Sequence, residues 1–174
     1  VMLRPEIELF DHQDLCVGKL RVQPNIAILD DMGVGKTLEA IAIDDIRRQQ
    51  SWPWKKTLVI TLNGPMTTQW ASVLRRATYL KVVVVDAKDK RGSWEEFIAL
   101  DADVLLTHWE SLWKPRSPNA FSLLEQLCKK SGLHVIADEA QKIMHRANQV
   151  TKNLKKIPTA YKTGLTGTPT SGRP

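Results

Sequence analysis

The sequence has few cysteines, no long apolar run and no acidic residue in its last part. Its two cysteines, Cys16 and Cys128, are far apart, and no C-x-x-C pair or Cys/His cluster surrounds them. A disulfide framework and a zinc site are therefore not expected, and a reducing compartment is favoured. No stretch of about 18 apolar residues occurs, so we expect no membrane span and no membrane partner. The expected location is cytoplasmic, or nuclear in a eukaryote.

Acidic side chains are absent from Ala140 to Pro174, whereas seven basic ones lie there. The formal net charge of the whole chain is only +6, so this segment outweighs it. A surface that carries only positive charge favours binding to a polyanion such as nucleic acid. A solvated helix face opposite an acidic partner explains the same charges. The basic residues of the segment are Lys142, Arg146, Lys152, Lys155, Lys156, Lys162 and Arg173.

Short apolar runs of β type alternate with amphipathic stretches of helical length. This alternation predicts an α/β fold, with a parallel sheet and helices on both faces. The length, 174 residues, suffices for one well-cored domain, which we expect to span residues 1–174. The predicted strands are Ile26–Leu29, Thr57–Leu62, Val82–Val85, Val104–Thr107, His134–Ala137 and Ala160–Leu165. The predicted helices are Thr37–Arg48, Thr67–Thr78, Ser93–Leu100 and Ala120–Lys130, and the predicted loops are Ser51–Lys56 and Trp113–Asn119.

A glycine-rich octet, DDMGVGKT from Asp30 to Thr37, lies between the first predicted strand and the first predicted helix. This context predicts a P-loop, whose backbone N–H groups turn around phosphate oxygens at a helix N-terminus. Lys36 is predicted to reach the β- and γ-phosphates, and the hydroxyl of Thr37 to hold Mg²⁺. The general pattern begins with Gly where this chain has Asp30. A chance glycine-rich turn is the alternative.

An acidic pair, Asp138 and Glu139, follows the apolar run His134–Ala137. In the second half of an NTPase site, the first acid holds Mg²⁺ and the second orients and deprotonates the attacking water. We assign these roles to Asp138 and Glu139, which with Lys36 form the predicted catalytic set. The alternative is that both acids merely stabilise a helix N-terminus through its dipole.

These motifs together resemble the first RecA-like lobe of superfamily 2 helicase-type ATPases, in particular the Swi/Snf-type group. The octet is similar to the DEMGLGKT of that group, DEAQ at Asp138–Gln141 to its motif II, and LTGTP at Leu165–Pro169 to its motif III. The basic stretch Gln141–Lys156 between those motifs is also similar. The resemblance runs from about Leu9 to Pro169 and implies a RecA-like P-loop NTPase domain that binds ATP and Mg²⁺.

The resemblance assigns further roles around the nucleotide. Gln13, in the segment LFDHQ, stands where the family has a glutamine that reads adenine. Gln141 replaces the family's histidine, which links the nucleotide site to the interdomain face. Thr166 and Thr168 would lie near the γ-phosphate and couple its state to the nucleic-acid face. The residues predicted to bind nucleotide are Gln13, Asp31, Met32, Gly33, Val34, Gly35, Lys36 and Thr37.

Two segments resemble family regions that grip the nucleic-acid backbone through loops at strand ends. Leu58–Trp70 is similar to motif Ia, although Asn63-Gly64-Pro65 departs from the usual Cys-Pro. Val104–Leu112 is similar to a segment written VITTYETL.

Three lysines fall on one face of a predicted helix near Gln149–Ile157, with Leu154 and Ile157 facing the domain. The predicted nucleic-acid contacts are Thr107, His108, Lys152, Lys155 and Lys156.

The predicted function is the ATP-binding lobe of an ATP-dependent DNA helicase or translocase, with duplex DNA as its partner. Motifs IV to VI have no counterpart, so we expect a fragment that lacks the second lobe, and weak ATP hydrolysis because the arginine finger belongs to that lobe. RNA or single-stranded DNA remains open as the nucleic acid. A binding module without efficient turnover is an alternative from another class. A small phosphotransferase is disfavoured, because it calls for Gly at position 30 and an arginine-bearing lid.

Overall fold

The computed structural model describes residues 3–29, 31, 33–50, 52, 55–86, 88–109, 129, 132–143, 149–157, 159 and 161–167. Its strands are β1 (Asn25–Leu29), β2 (Lys56–Thr61), β3 (Val82–Val84), β4 (Val104–His108), β5 (Leu133–Ala137) and β6 (Tyr161–Thr166). Its helices are α1 (Asp11–Leu20), α2 (Lys36–Gln49), α3 (Gly64–Ala77), α4 (Lys90–Ala99), α5 (Gln149–Lys156) and a 3₁₀ helix at Ala140–Ile143. The predicted helix Ala120–Lys130, apart from Lys129, and the predicted loop Trp113–Asn119 lie outside the described residues.

The six strands form one sheet in the order β1-β6-β5-β2-β4-β3. Every neighbouring pair is parallel, so the carboxyl ends of the strands meet at one edge. The register sets Leu29 opposite Thr166, and sets Ile60 opposite both Ala137 and Thr107. The predicted parallel α/β sheet is therefore confirmed, and the segments that follow β1, β6, β5, β2 and β4 leave it side by side.

Helices cover both faces of the sheet. One buried cluster joins α1, α2 and α3 to one face and includes Val17, Ile41, Val59 and Trp70. The other cluster joins α4 and α5 to the opposite face and includes Leu58, Ile60, Phe97 and Leu154. Every residue of β2 and β5 is buried, which is typical of central strands in a parallel sheet and explains the apolar runs within them, Leu58–Ile60 and Val135–Ala137.

Helix α1 is the element that the apolar pattern did not predict. Only Gln13 and Val17 of its ten residues are buried, so its apolar stripe is too thin to produce a clear helical period. The helix nevertheless packs on α2. It thereby brings the predicted adenine residue, Gln13, next to the segment that precedes α2.

Most predicted boundaries agree with the structure, and all six strands match to within one residue at each end. Helix α3 begins earlier than predicted, at Gly64 rather than Thr67. Asn63 Oδ1 caps it by accepting from the N–H of Met66 at 3.1 Å, and Pro65 in the first turn has no N–H to satisfy. Within the described segments, no helix has the length and apolar character needed to cross a lipid bilayer.

Candidate functional site

The two glycines that precede α2 have the backbone conformation typical of a phosphate-binding loop. Gly33 and Gly35 have φ angles of 86° and 93°, in the left-handed region where glycine is favoured. Gly35 is the N-cap of α2. The N–H groups in the first turn of this helix, and the positive end of its dipole, are therefore directed toward the loop. Asp31 is exposed beside them, and Met32 lies outside the described residues.

Lys36 and Thr37 occupy the first turn of α2. The Nζ of Lys36 donates to the backbone oxygen of Asp31 at 2.6 Å, so the lysine side chain folds back across the loop. The ammonium is thus close to the N–H groups that begin the helix. This combination of fixed dipoles and one mobile cation suits a polyphosphate.

Gln13 of α1 contacts the backbone of this loop, and only 2% of its surface is exposed. Its Nε2 donates to the backbone oxygens of Val34 at 3.1 Å and Gly35 at 3.5 Å. Its Oε1 accepts from the N–H of Phe10 at 3.1 Å, which also caps α1. The amide therefore supports the loop backbone, and its predicted contact with adenine stays a prediction.

Asp138 ends the central strand β5 and is 8% exposed. Its backbone N–H donates to Ile60 at 2.8 Å, while its carboxylate accepts from Trp70 Nε1 at 2.8 Å and from the N–H of Glu139 at 2.9 Å. Burial raises the pKa of the Asp138 carboxyl, and the Trp70 hydrogen bond and the Lys36 ammonium oppose that rise. Because β1, β6 and β5 are neighbours in the sheet, the loop after β1 and the acidic pair after β5 lie at the same sheet edge.

Glu139 and Gln141 form a small unit next to Asp138. The φ of Glu139 is 53°, a left-handed conformation that costs a residue with a Cβ about 1–2 kcal/mol. Gln141 Nε2 donates to the carboxylate oxygen Oε2 of Glu139. The described residues that follow, Ala140–Ile143, form a 3₁₀ helix, and within them stabilisation of an α-helix dipole gives a poor explanation for the two acids.

Thr166 ends β6 between the two halves of the site. It is buried, it is paired in register with Leu29 at the end of β1, and its strand pairs on the other side with β5. The topology therefore brings the P-loop, Thr166 and Asp138 to adjacent strand ends. Thr168, predicted to act with Thr166, lies outside the described residues.

The predicted nucleic-acid contacts have different exposures. Thr107 is 2% exposed within β4, and its contact with nucleic acid stays a prediction. His108, the next residue, is half-buried at the end of the strand. The lysines of α5, Lys152, Lys155 and Lys156, are exposed, whereas Leu154 and Ile157 are buried as predicted.

Sequence reasoning missed two tryptophans that contact Asp138. Trp70 donates to its carboxylate, and Trp109 Nε1 donates to its backbone oxygen at 2.9 Å. Both lie in segments that were singled out for nucleic acid. The occurrence of a tryptophan in the segment after β2 and in the segment after β4 is a signal that could have suggested them, but their shared partner becomes visible only once the strands are ordered.

A parallel sheet of this order, with a glycine loop after β1 and an acidic pair after β5 at the same edge, defines a RecA-like P-loop domain. Solved structures support this fold. The Sulfolobus solfataricus SWI2/SNF2 ATPase core in complex with dsDNA superposes with a TM-score of 0.76 at 24% identity, over 97% of this chain and 34% of that one. The Pyrococcus furiosus Hef helicase domain gives 0.70 at 20% identity, over 98% and 35%.

The family follows from the sequence. The model of the SNF2-related domain matches residues 17–173, and the chain belongs to that family. It is 28% identical over 151 residues to the ATP-dependent helicase BRM of Arabidopsis thaliana, and 29% identical over 150 residues to the uncharacterized ATP-dependent helicase MG018 of Mycoplasma genitalium. These alignments cover 83% and 84% of this chain but only 6% and 13% of the relatives.

Proposed function

We propose that this chain is the ATP-binding lobe of a nucleic-acid-dependent ATPase, which in its complete form hydrolyses ATP to move along DNA. The observation that carries this proposal is the strand order β1-β6-β5, which places the left-handed glycines Gly33 and Gly35 after β1 and Asp138 after β5 at the same edge of the sheet. Membership of the SNF2-related domain family, with relatives named as ATP-dependent helicases, supports ATP as the nucleotide.

The side chains at this edge of the sheet fit Mg²⁺ bound together with nucleotide. Mg²⁺ prefers oxygen ligands and is usually held by one or two protein groups plus substrate phosphates. Thr37 offers a hydroxyl and Asp138 a carboxylate, and across the described part of the chain no group of three or more His, Cys, Asp or Glu suggests a different metal site. We assign the ion to Thr37 and Asp138. When bound, it neutralises charge on the β- and γ-phosphates.

The other residues of the site have separate tasks in this proposal. The loop N–H groups bind phosphate, and Lys36 exchanges the Asp31 oxygen for the β- and γ-phosphates. Glu139 orients the attacking water and accepts its proton. Gln141, bonded to Glu139, and Thr166 respond to the presence of the γ-phosphate. Charge that develops on this phosphate would meet Lys36 and an arginine from a second lobe.

Duplex DNA is the proposed nucleic acid, bound near His108 and the exposed lysines of α5. A structural relative with this fold is a SWI2/SNF2 ATPase core in complex with dsDNA. The lysines of α5 and the acid-free segment that contains them supply charge of the required sign. A second RecA-like lobe is the other proposed partner, since this chain spans about a third of that ATPase core.

Binding of a fluorescent ATP analogue with Mg²⁺ tests the nucleotide site directly. Lys36→Ala is expected to abolish binding without altering the far-UV circular dichroism spectrum, because Lys36 lies at the start of α2 and belongs to neither buried core cluster. Lys81→Ala is the matched control, since Lys81 is exposed just before β3 at the opposite edge of the sheet. Equal affinity in both variants would reject the P-loop assignment. Binding without hydrolysis in the presence of every nucleic acid would favour the alternative, a binding module.

A further inference from the structure

Two buried tryptophans converge on Asp138. Trp70 Nε1 donates to the carboxylate oxygen Oδ2 at 2.8 Å, and Trp109 Nε1 donates to the backbone oxygen at 2.9 Å. The indoles are only 2% and 3% exposed. An indole N–H can donate but cannot accept. Both contacts therefore have a fixed direction, with Asp138 as the acceptor in each.

The contact with Trp70 fixes the orientation of the carboxylate. Oδ2 accepts from Trp70, and Oδ1 accepts from the N–H of Glu139 at 2.9 Å. Two donors on two different oxygens hold the carboxylate against rotation about its Cβ–Cγ bond. Because an ionised carboxylate has about four lone-pair sites, each oxygen keeps capacity for another ligand. Trp70 thus helps to set the direction in which Asp138 presents that capacity.

The two indoles come from the segments that follow β2 and β4. Trp70 lies on α3, which begins directly after β2, and Trp109 follows His108 at the end of β4. Ile60 of β2 is in register with Ala137 of β5 and with β4 on its other side. Three adjacent strands therefore end together, and the indoles bridge them at Asp138. A displacement of either segment has to stretch a hydrogen bond to this residue.

We propose that Trp70 is a positioning residue for the Mg²⁺-binding carboxylate of Asp138, and that Trp109 ties the same residue to the His108 segment at the nucleic-acid face. This inference rests on the nucleotide site proposed above. Removal of such a supporting partner typically lowers metal affinity about 10–100-fold. Since coupling between two bound ligands is reciprocal, nucleic acid at the His108 segment should in turn alter the affinity for Mg²⁺-nucleotide.

The first experiment separates Mg²⁺-dependent from Mg²⁺-independent nucleotide binding. The affinity of a fluorescent ADP analogue is measured with Mg²⁺ and with EDTA, in wild type, Trp70→Phe and Trp94→Phe. Trp94 is a buried tryptophan of α4, so its variant controls for the removal of a buried indole. Trp70→Phe is expected to need about 10–100-fold more Mg²⁺, with its affinity in EDTA unchanged and Trp94→Phe like wild type. If Trp70→Phe folds and needs no more Mg²⁺ than wild type, the positioning role of Trp70 is wrong, but the proposed function is unaffected. A wild type without nucleotide binding rejects the proposed function as well.

The second experiment needs no variant to fold. The six tryptophans of the chain each give an indole N–H signal in a nitrogen-15 NMR spectrum. Adding Mg²⁺ to the ADP-bound chain is expected to shift the signal of Trp70, and adding duplex DNA the signal of Trp109, while that of Trp94 stays in place. A Trp70 signal that does not respond to Mg²⁺ overturns its positioning role. A Trp109 signal that does not respond to DNA overturns the link to the nucleic-acid face.

Discussion

A Cβ atom added to Gly35 would lie 2.3 Å from Nε2 of Gln13. The amide of Gln13 thus occupies the space that the side chain of any other residue at position 35 would fill. From there it donates to the carbonyl oxygens of Val34 and Gly35, so α1 supports the loop at its backbone. The φ of 93° at Gly35 favours glycine for a second, independent reason.

Gly35→Ala is expected to lower both the free energy of unfolding and the nucleotide affinity. The left-handed backbone alone costs about 1–2 kcal/mol with a Cβ present, and displacement of Gln13 adds to it. Gly33→Ala has the backbone cost without the clash, because nothing lies within 4 Å of its added Cβ. Urea unfolding of the two variants measures the difference, and equal destabilisation would contradict the close contact with Gln13.

Gly18→Ala provides the control on the same helix as Gln13. Its added Cβ meets nothing within 4 Å, and its φ is not in the left-handed region. Replacing glycine by alanine inside a helix is expected to raise the free energy of unfolding by roughly 0.5–1 kcal/mol. The nucleotide affinity should be unchanged. A decrease of stability in Gly18→Ala would show that α1 is not packed as described.

Glu139→Gln is expected to bind ATP with Mg²⁺ as wild type does and to lose hydrolysis. The amide retains the shape of the carboxylate but accepts no proton from water. Parallel measurements of analogue affinity and of phosphate release check both halves. Glu96→Gln, at an exposed position on α4, removes the same charge away from the sheet edge and should leave both quantities unaltered. Phosphate release by Glu139→Gln at the rate of Glu96→Gln would contradict the assignment of Glu139 as the base.

A buried pair, His134 and Asp44, is expected to make the protein sensitive to mild acid. His134 Nδ1 lies 2.7 Å from Asp44 Oδ1, and Nε2 lies 2.8 Å from Thr163 Oγ1. Burial lowers the pKa of His134, although Asp44 opposes this, so the folded state favours the neutral ring. The neutral ring therefore contributes fully to the free energy of unfolding at pH values above about 6.5, the pKa of histidine in the unfolded chain. This contribution is lost as the pH falls below that value.

Urea unfolding of wild type and His134→Gln from pH 8 to pH 5 checks this expectation. Glutamine can still donate to Asp44 but does not titrate, so its free energy of unfolding should vary less across this range. Burial would raise the pKa of Asp44, but Arg48 and His134 outweigh burial and hold it below its ordinary value. Asp44 therefore contributes its own decrease in stability only below about pH 4. Wild-type stability that stays constant between pH 7 and pH 5 would contradict a neutral His134.

The strands and the P-loop were predictable because each depends on neighbours in sequence. The strands β2 and β5 contain the apolar runs Leu58–Ile60 and Val135–Ala137, and the octet ending at Thr37 carries its own glycines. Helix α1 was missed because its stabilising contacts are with α2 and the loop rather than within a wide apolar stripe. The early start of α3 depends on one capping side chain, Asn63.

The site was predictable in its residue types but not in its contacts. Lys36 and Asp138 could be paired from motif order, whereas the indoles of Trp70 and Trp109 reach Asp138 only through the strand order β5-β2-β4. The exposure of Thr107 was not predictable from its position either. A strand-end hydroxyl predicts an exposed contact, yet β4 continues through His108 and keeps Thr107 inside the sheet. Tertiary pairing, which separates these cases, is not contained in local spacing.

The lysines of α5 give the last prediction, on DNA affinity. Lys152, Lys155 and Lys156 are exposed, and Leu154 and Ile157 anchor the other side of the helix. If this face contacts the phosphate backbone, binding of duplex DNA should be weak, independent of sequence and steeply dependent on salt. Replacing all three by Gln should then reduce the log–log salt slope by about 0.9 for each phosphate that the helix no longer neutralises.

A second triple variant separates a local contact from a change in net charge. Lys19, Lys55 and Lys81 are also exposed, and their replacement by Gln removes the same three positive charges from other surfaces. Only the α5 variant should show a reduced slope if the phosphates lie on α5, because counterions are released where the contact is made. Equal effects would indicate general attraction by the charge of the whole chain. An unchanged slope in the α5 variant would remove this face from the DNA path, whereas the nucleotide site at Lys36 and Asp138 would be unaffected.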